Sequence, residues 1–306
     1  MTSEWPTEGT ADNQRSGNYS MYHVHTEDLS HVRNAYPYFK LEEAHALTKP
    51  IFSKYAINPK RFSGTRGFTD SDIAADVREV ERLDRLFDKS QKTEKMYADV
   101  LEAVAFEHGD SSNWFGSNSE IILTSLFDDY MNKIDMVLRT ETDGHVSILG
   151  LDVTFGSYDL HKKFDKIRHD IDTGVLGKVK YFLHNRTRLQ TFACSLDHVP
   201  QVVVGVDIQR LKELGLLWMN KKNNQLAKHP VQVLLLEEIT MQLRTFADYA
   251  RAKGKDQMST ILEIELKNIR ELLQEKRKAG IATIKDDKVF EEIKRNLLYF
   301  TDSDTA

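Results

Sequence analysis

The stretch KIDMVLRTETDGHVSILGLDVTF, residues 133–155, decides the fold, because it holds two apolar runs separated by a tight-turn signal. The runs IDMVL and VSILGLDVTF predict two strands, and Asp143-Gly144 is typical of a two-residue hairpin turn. With this dipeptide at the centre of the turn, Thr142 faces His145 and the register of the whole hairpin follows. A longer loop or a slip of one residue would change every cross-strand pair.

Each apolar run carries one aspartate, Asp135 or Asp152, where a strand ordinarily prefers Val or Ile. The predicted register places the two directly opposite each other on one face of the hairpin, with Cβ atoms about 4.5–5.5 Å apart. Carboxylates this close repel unless they share a proton or bind a cation. Oxygen ligands predict Mg²⁺, with Mn²⁺ as the alternative. The same register pairs Lys133 with Thr154 on that face.

The segments around the hairpin predict an α/β fold with helical additions at both ends. Residues 1–20 are polar and predict a disordered tail, whereas 21–92 form a mixed region that ends in an amphipathic helix. Residues 93–220 predict the α/β core: a helix, three strands, a helix, two further strands and a short helix. Residues 230–306 are almost entirely helical in pattern, in pieces of roughly 231–252, 257–279 and 286–300.

Composition excludes several classes of protein. The chain of 306 residues contains no run of about 20 apolar residues, so we expect no membrane span. The polar N-terminus lacks the apolar core of a secretory signal, and the lone Cys194 excludes an internal disulfide. A cytoplasmic protein is the expectation. The C-terminal helices are typical of a core cover or of a homodimer face.

The charges are separated along the chain. Residues 120–159 contain eight acids and two bases, whereas residues 162–188 contain eight bases and three acids. An acidic cluster followed by a basic segment is the pattern of a cation site beside a polyanion track, although two solvated surfaces of opposite charge would give the same counts. The candidate residues for contact with a nucleic acid are Lys178, Lys180, Arg186 and Arg188.

A helix with a glutamate, followed by a strand meander that carries two acids, resembles the PD-(D/E)XK (restriction-endonuclease-like) nuclease superfamily. KIDMVL places Asp135 at the first aspartate of that motif, GLDVTF places Asp152 at its second acid, and DVLEAVAFEH supplies Glu102. The resemblance covers residues 93–207. It implies a nuclease-like core in which Mg²⁺ is bound by Asp135, Asp152, the backbone carbonyl of Val153 and Glu102.

One position departs from the superfamily pattern. Thr154 stands two residues after the second acid, where the motif has its lysine. Lys133, Lys162 and Lys163 are the candidates to replace that lysine as a catalytic base or as a charge-stabilising group. The alternative is a nuclease-like fold that has lost catalysis and serves as a nucleic-acid-binding or assembly module.

Two further acidic features are ambiguous. Asp128-Asp129 falls between the first two predicted strands, where turn chemistry is the more common role and a metal ligand the less common one. Glu107 competes with Glu102 for the position of the helix glutamate, and the superfamily spacing favours Glu102. The leading hypothesis is therefore a metal-dependent endo- or exodeoxyribonuclease that acts on nucleic acid, with DNA as the expected partner.

Overall fold

The computed structural model describes residues 36, 38–87, 92–142, 144–156, 159–187, 190–284 and 286–301. The tail predicted for residues 1–20 lies outside the described residues, as do Asp143 and Arg188. The described chain is a mixed α/β structure, which confirms the predicted fold class at that level. Among the described residues, no helix combines the length and the apolar character needed to cross a membrane.

In sequence, helices precede and follow the strands of the sheet. The elements, in chain order, are α1 (Leu41–Tyr55), α2 (Asp70–Phe87), α3 (Lys92–Ser111), β1 (Ser119–Leu123), β2 (Met136–Thr142), β3 (His145–Phe155), α4 (Leu160–Thr173), β4 (Gly177–Thr187), β5 (Gln190–Val199), β6 (Gln201–Val206), α5 (Ile208–Met219), α6 (Asn223–Leu226), α7 (Val231–Ala252), α8 (Asp256–Lys278) and α9 (Lys288–Leu298). A 3₁₀ turn spans Pro59–Phe62, and a π-helical turn spans Asp128–Asn132.

The main sheet has the order β1-β2-β3-β6, and β4 and β5 form a separate hairpin. The first three strands are an antiparallel meander, and β6 lies parallel to β3. β3 and β6 are neighbours in the sheet, and in sequence α4 and the β4–β5 hairpin lie between them. This order places the C-terminal end of β3 beside the start of α4, where the candidate site lies.

The predicted hairpin register is confirmed over most of its length. Thr142 pairs with His145 and Met136 pairs with Leu151, and Gly144 adopts the positive φ of 78° that a tight turn requires. The strand ladder ends at Met136, however, so the prediction that Asp135 is a strand residue is wrong. Its N–H donates to the Leu151 carbonyl at 2.9 Å instead of facing Asp152 in the ladder.

Side chains from α7 cover the open edge of β6. Gln242 accepts a hydrogen bond from Val203 N at 2.8 Å and donates to the Val203 carbonyl at 2.6 Å, and Glu238 accepts from Gly205 N at 2.9 Å. Burial raises the pKa of Glu238 well above its usual value, which favours the neutral form of this fully buried carboxyl. The backbone groups of Val203 and the N–H of Gly205, which another strand could otherwise bind, are satisfied within the chain.

Two parts of the chain differ from the sequence-based expectation. The described part of the mixed region predicted for residues 21–92 contains α1 and the 3₁₀ turn before the amphipathic helix α2. β5 was not predicted, because its alternation is weak in TFACSLDHV, and it pairs with the predicted strand β4. The C-terminal helices α7, α8 and α9 confirm the three predicted helical pieces within two residues at each boundary.

Candidate metal-binding active site

Seven of the described carboxylates line one cleft of about 570 Å³, and four of these, from four different segments, are the candidate metal ligands. Glu102 comes from α3, Asp129 from the π-helical turn, Asp135 from the bend before β2 and Asp152 from β3. Glu102 and Asp129 are thus brought together with Asp135 and Asp152. The sequence predicted this for Glu102 and did not predict it for Asp129. The π-helical turn is a form that recurs at functional sites.

Asp135 holds the centre of this carboxylate group. Its Oδ2 atom accepts a hydrogen bond from Val153 N at 2.6 Å, which replaces the ladder bond at the end of the strand pair. Its carboxyl also lies close enough to that of Asp129 for each to affect the pKa of the other. Burial and the neighbouring Asp129 raise the pKa of Asp135 to about 8.

Asp152 is 4% exposed and receives a hydrogen bond from the ammonium group of Lys163 on α4. Burial raises the pKa of Asp152 to about 6, although Lys163 acts in the opposite direction. Burial by itself would lower the pKa of Lys163, but the charges of Asp152 and Asp135 outweigh burial and raise it. Lys163 is therefore a stable cation at the carboxylates and not a neutral amine.

The structure separates the two candidate helix glutamates. Glu102 faces Asp135 and Asp129, and burial together with these carboxylates raises its pKa well above the usual value. Glu107 faces another part of the molecule, where it accepts a hydrogen bond from Trp218 Nε1 at 2.6 Å. The preference for Glu102 over Glu107 thus agrees with their positions in the fold.

The adjacent pair Asp128-Asp129 divides into a structural and a site-facing residue. Asp128 is fully buried and accepts hydrogen bonds from Ser125 Oγ, Asn132 Nδ2 and the backbone N–H groups of Lys180 and Tyr181, at 2.6–3.1 Å. These bonds tie the π-helical turn to β4 at an irregularity in the β4–β5 register. Asp129 lines the cleft, and burial raises its pKa against the opposing effect of Lys95.

Sequence reasoning gave Asp129 a turn role and therefore undervalued it. The available signal was the doubled aspartate, because one of two neighbouring acids can anchor a turn while the other points elsewhere. The turn role belongs to Asp128, whose four hydrogen bonds account for its burial without any metal ion.

The three candidate lysines occupy different positions. Lys163 contacts Asp152, and Lys162 pairs with Asp159 at 3.0 Å on the rim of the cleft. Lys133 ends the π-helical turn in the left-handed conformation, with φ of 60°, and also lines the cleft. The prediction that Lys133 lies on a strand opposite Thr154 is wrong, because β2 begins three residues later.

The predicted basic track is not part of the cleft where the structure describes it. Lys178 pairs with Asp197 at 3.1 Å, and Lys180 pairs with Asp76 at 2.5 Å. The side chain of Arg186 and all of Arg188 lie outside the described residues. The lysines that do line the cleft come from α3, the π-helical turn and α4: Lys95, Lys133, Lys162, Lys163 and Lys166.

The donor set fits a hard divalent cation in chemical terms. Asp135 and Asp152 supply carboxylate oxygens, the Val153 carbonyl belongs to the residue directly after Asp152, and Glu102 and Asp129 add further oxygens. The raised pKa values of these acids are the mark of carboxylates that repel each other in a poorly solvated place. Within the described residues, no group of three or more His, Cys, Asp or Glu side chains is placed so that it could hold a metal ion without movement of the side chains.

Comparison of the chain with family models, with curated proteins and with solved structures gave no match. The function is therefore argued from the geometry of the cleft alone.

Proposed function

We propose that this protein is a metal-dependent phosphodiesterase that hydrolyses nucleic acid, with a core of the PD-(D/E)XK nuclease type. One observation carries the proposal: Asp135 and Asp152 meet at the bottom of a cleft, and Lys163 contacts Asp152 there. The element order also agrees with that core, since α3 supplies a glutamate before a three-strand meander and α4 precedes a parallel β6. DNA is the proposed substrate.

Asp135, Asp152 and the Val153 carbonyl would hold Mg²⁺ or Mn²⁺, with Glu102 as a ligand directly or through water. When bound, the ion supplies a more acidic water and positive charge at the phosphate. Asp129 is a further oxygen ligand in this proposal, because its carboxyl lines the cleft beside that of Asp135. The cation would relieve the repulsion that otherwise keeps protons on these acids.

Lys163 replaces the motif lysine in charge but not in sequence position. Hydrolysis forms a bond from a water oxygen to phosphorus and breaks the bond to the leaving sugar oxygen, which takes up a proton. Negative charge collects on the phosphoryl oxygens during this step. Because its raised pKa keeps Lys163 protonated, its role is to stabilise that charge and to orient Asp152, and not to act as a base.

The test is a cleavage assay on plasmid and single-stranded DNA with Mg²⁺, with Mn²⁺ and with a chelator. Wild type is compared with Asp152→Asn and with Asp197→Asn, a surface acid that pairs only with Lys178 among its described ion pairs. We expect metal-dependent cutting that is lost in Asp152→Asn and kept in Asp197→Asn. DNA cleavage that is retained in both Asp135→Asn and Asp152→Asn would contradict the assignment.

Thr154 favours a second function, a nuclease-like module that binds nucleic acid without cutting it. Its side chain is buried, 7% exposed, at the place where the superfamily carries its lysine. In that case isothermal titration would detect binding of DNA, while no metal would support cleavage by the wild type.

A further inference from the structure

We propose that the cleft takes single-stranded nucleic acid, with an unpaired base held by Tyr130 and Phe155; this inference rests on the proposed function and names its substrate. The cleft has an acidic floor and a rim of lysines that are paired with carboxylates. Asp152 on the floor is 4% exposed, whereas the Lys162 side chain on the rim is 45% exposed. A substrate phosphate must therefore pass the rim before it reaches the carboxylates.

The depth of Asp152 limits the form of the substrate. A cleft of about 570 Å³ is comparable to a small-molecule pocket and is lined on one side by α3. Double-stranded DNA is a stiff rod with a persistence length of about 50 nm, and its paired strands cannot send one nucleotide into such a space without unpairing. A flexible single strand can enter without that cost.

Aromatic rings stand among the charged residues of the cleft. The ring of Tyr130 lies under the Lys95 ammonium group at 5.5 Å, and its hydroxyl donates to Asp84 at 2.9 Å. The ring of Phe155, at the end of β3, packs on Tyr97 of α3 at 5.3 Å between centroids. Both rings are half-buried and both line the cleft. Rings held in this way are the stacking surfaces by which proteins bind unpaired bases.

The rim lysines by themselves are a weak site for a duplex backbone. Lys95 pairs with Asp99 at 3.6 Å, and Lys166 pairs with Asp170 at 2.7 Å. Lys162 pairs with Asp159 in the same way. Because each lysine already faces a carboxylate, phosphate contacts release few counterions and the salt dependence of binding is expected to be shallow. Base stacking must then supply much of the affinity.

The experiment measures cleavage and binding by the full chain on one sequence in four forms: single-stranded DNA, single-stranded RNA, blunt duplex DNA and duplex DNA with an overhang. Cleavage is followed with Mg²⁺ and Mn²⁺, and binding by fluorescence anisotropy with Ca²⁺. The variants are Tyr130→Leu and Phe155→Leu. Tyr299→Leu is the matched control, because it makes the same substitution at an exposed tyrosine outside the cleft.

We expect the single strand and the overhang to be bound and cut at least about tenfold better than the blunt duplex. Loss of one stacking ring should weaken single-strand binding by about ten- to hundredfold. Tyr299→Leu should bind as wild type does. The DNA and RNA arms identify which strand the cleft prefers.

Two results separate this inference from the proposed function. Cutting of the blunt duplex as fast as the single strand, or unchanged single-strand binding in both Leu variants, would overturn the inference and leave the nuclease intact. Single-strand binding that depends on Tyr130 and Phe155, without cleavage in any metal, would overturn the hydrolytic function and support the inference.

Discussion

Lys163, on the helix that follows β3, donates a hydrogen bond to Asp152, on β3 itself. The two residues are eleven positions apart and are joined by the turn from strand to helix. The pair places a permanent positive charge beside the candidate metal ligands.

Replacing Lys163 with Met should lower kcat by about 10²–10³-fold and change KM little, because the cation acts on charge that develops during the reaction. Lys163→Arg should recover part of the rate, since the positive charge is kept. Lys178→Met is the control, because Lys178 pairs with Asp197 outside the cleft. Steady-state kinetics on a single-stranded oligonucleotide measure the effect, and an unchanged kcat in Lys163→Met would exclude this role.

The stability of the metal-free protein should fall as the pH rises. The pKa of Asp135 is raised from 3.8 to about 8 and that of Asp152 to about 6, so the folded state binds more protons than the unfolded state between these limits. These two groups therefore contribute most to the free energy of unfolding below about pH 4, and their contribution is lost by about pH 8. Thermal unfolding from pH 5 to 9 in the presence of a chelator tests this slope.

Adding Mg²⁺ should raise Tm more at pH 8 than at pH 5, because fewer protons compete with the cation at the higher pH. A Tm shift by Mg²⁺ that is equal at both pH values would contradict the assignment of these carboxylates as ligands.

Asp135→Asn should stabilise the metal-free protein at pH 8 by roughly 1–3 kcal/mol and abolish the Mg²⁺-induced rise in Tm. The amide removes the charge that repels Asp129 and Asp152, while its oxygen still accepts the Val153 N–H. Urea unfolding with and without Mg²⁺ measures both effects. Asp197→Asn is the matched control, and it should leave the free energy of unfolding and the Mg²⁺ response unchanged.

Glu265→Gln should stabilise the protein above about pH 7 and have little effect at pH 5. Glu265 is buried on α8, accepts a hydrogen bond from Ile148 N at 3.1 Å, and has a pKa raised by burial to about 7. Its folded-state pKa lies above the unfolded value, so its contribution to stability is lost as the pH rises through 7. The Tm difference between variant and wild type at pH 6 and pH 8.5 checks this, and a difference independent of pH would contradict it.

Gln242→Leu should destabilise the fold by about 2–5 kcal/mol, because both backbone groups of Val203 lose their buried partners. Gln225→Leu, at an exposed position, should change the free energy of unfolding by less than about 0.5 kcal/mol. Denaturant titrations of the two variants give the comparison. Because Gln242→Leu leaves the edge of β6 open, we also expect this variant to self-associate more than the wild type in analytical ultracentrifugation.

The local pattern of the sequence was sufficient for most of the secondary structure and for the hairpin. The register of β2 and β3 follows from a two-residue turn, and the long C-terminal helices follow from a repeated apolar spacing. Because Glu102 was placed by the resemblance to the nuclease superfamily, only Asp135 and Asp152 could be placed near each other from residue spacing. These inferences succeed because each depends on residues close together in the chain or on a fixed strand period.

Only the tertiary structure decided which of two neighbouring residues faces the cleft. Lys162 and Lys163 are adjacent, but successive helix positions point about 100° apart, so packing of α4 on the sheet directs one to Asp159 and the other to Asp152. In the same way, hydrogen bonds from β4 fix Asp128 inside the protein and leave Asp129 at the cleft. The sequence determined which acids and lysines were available, and long-range packing decided which of them meet.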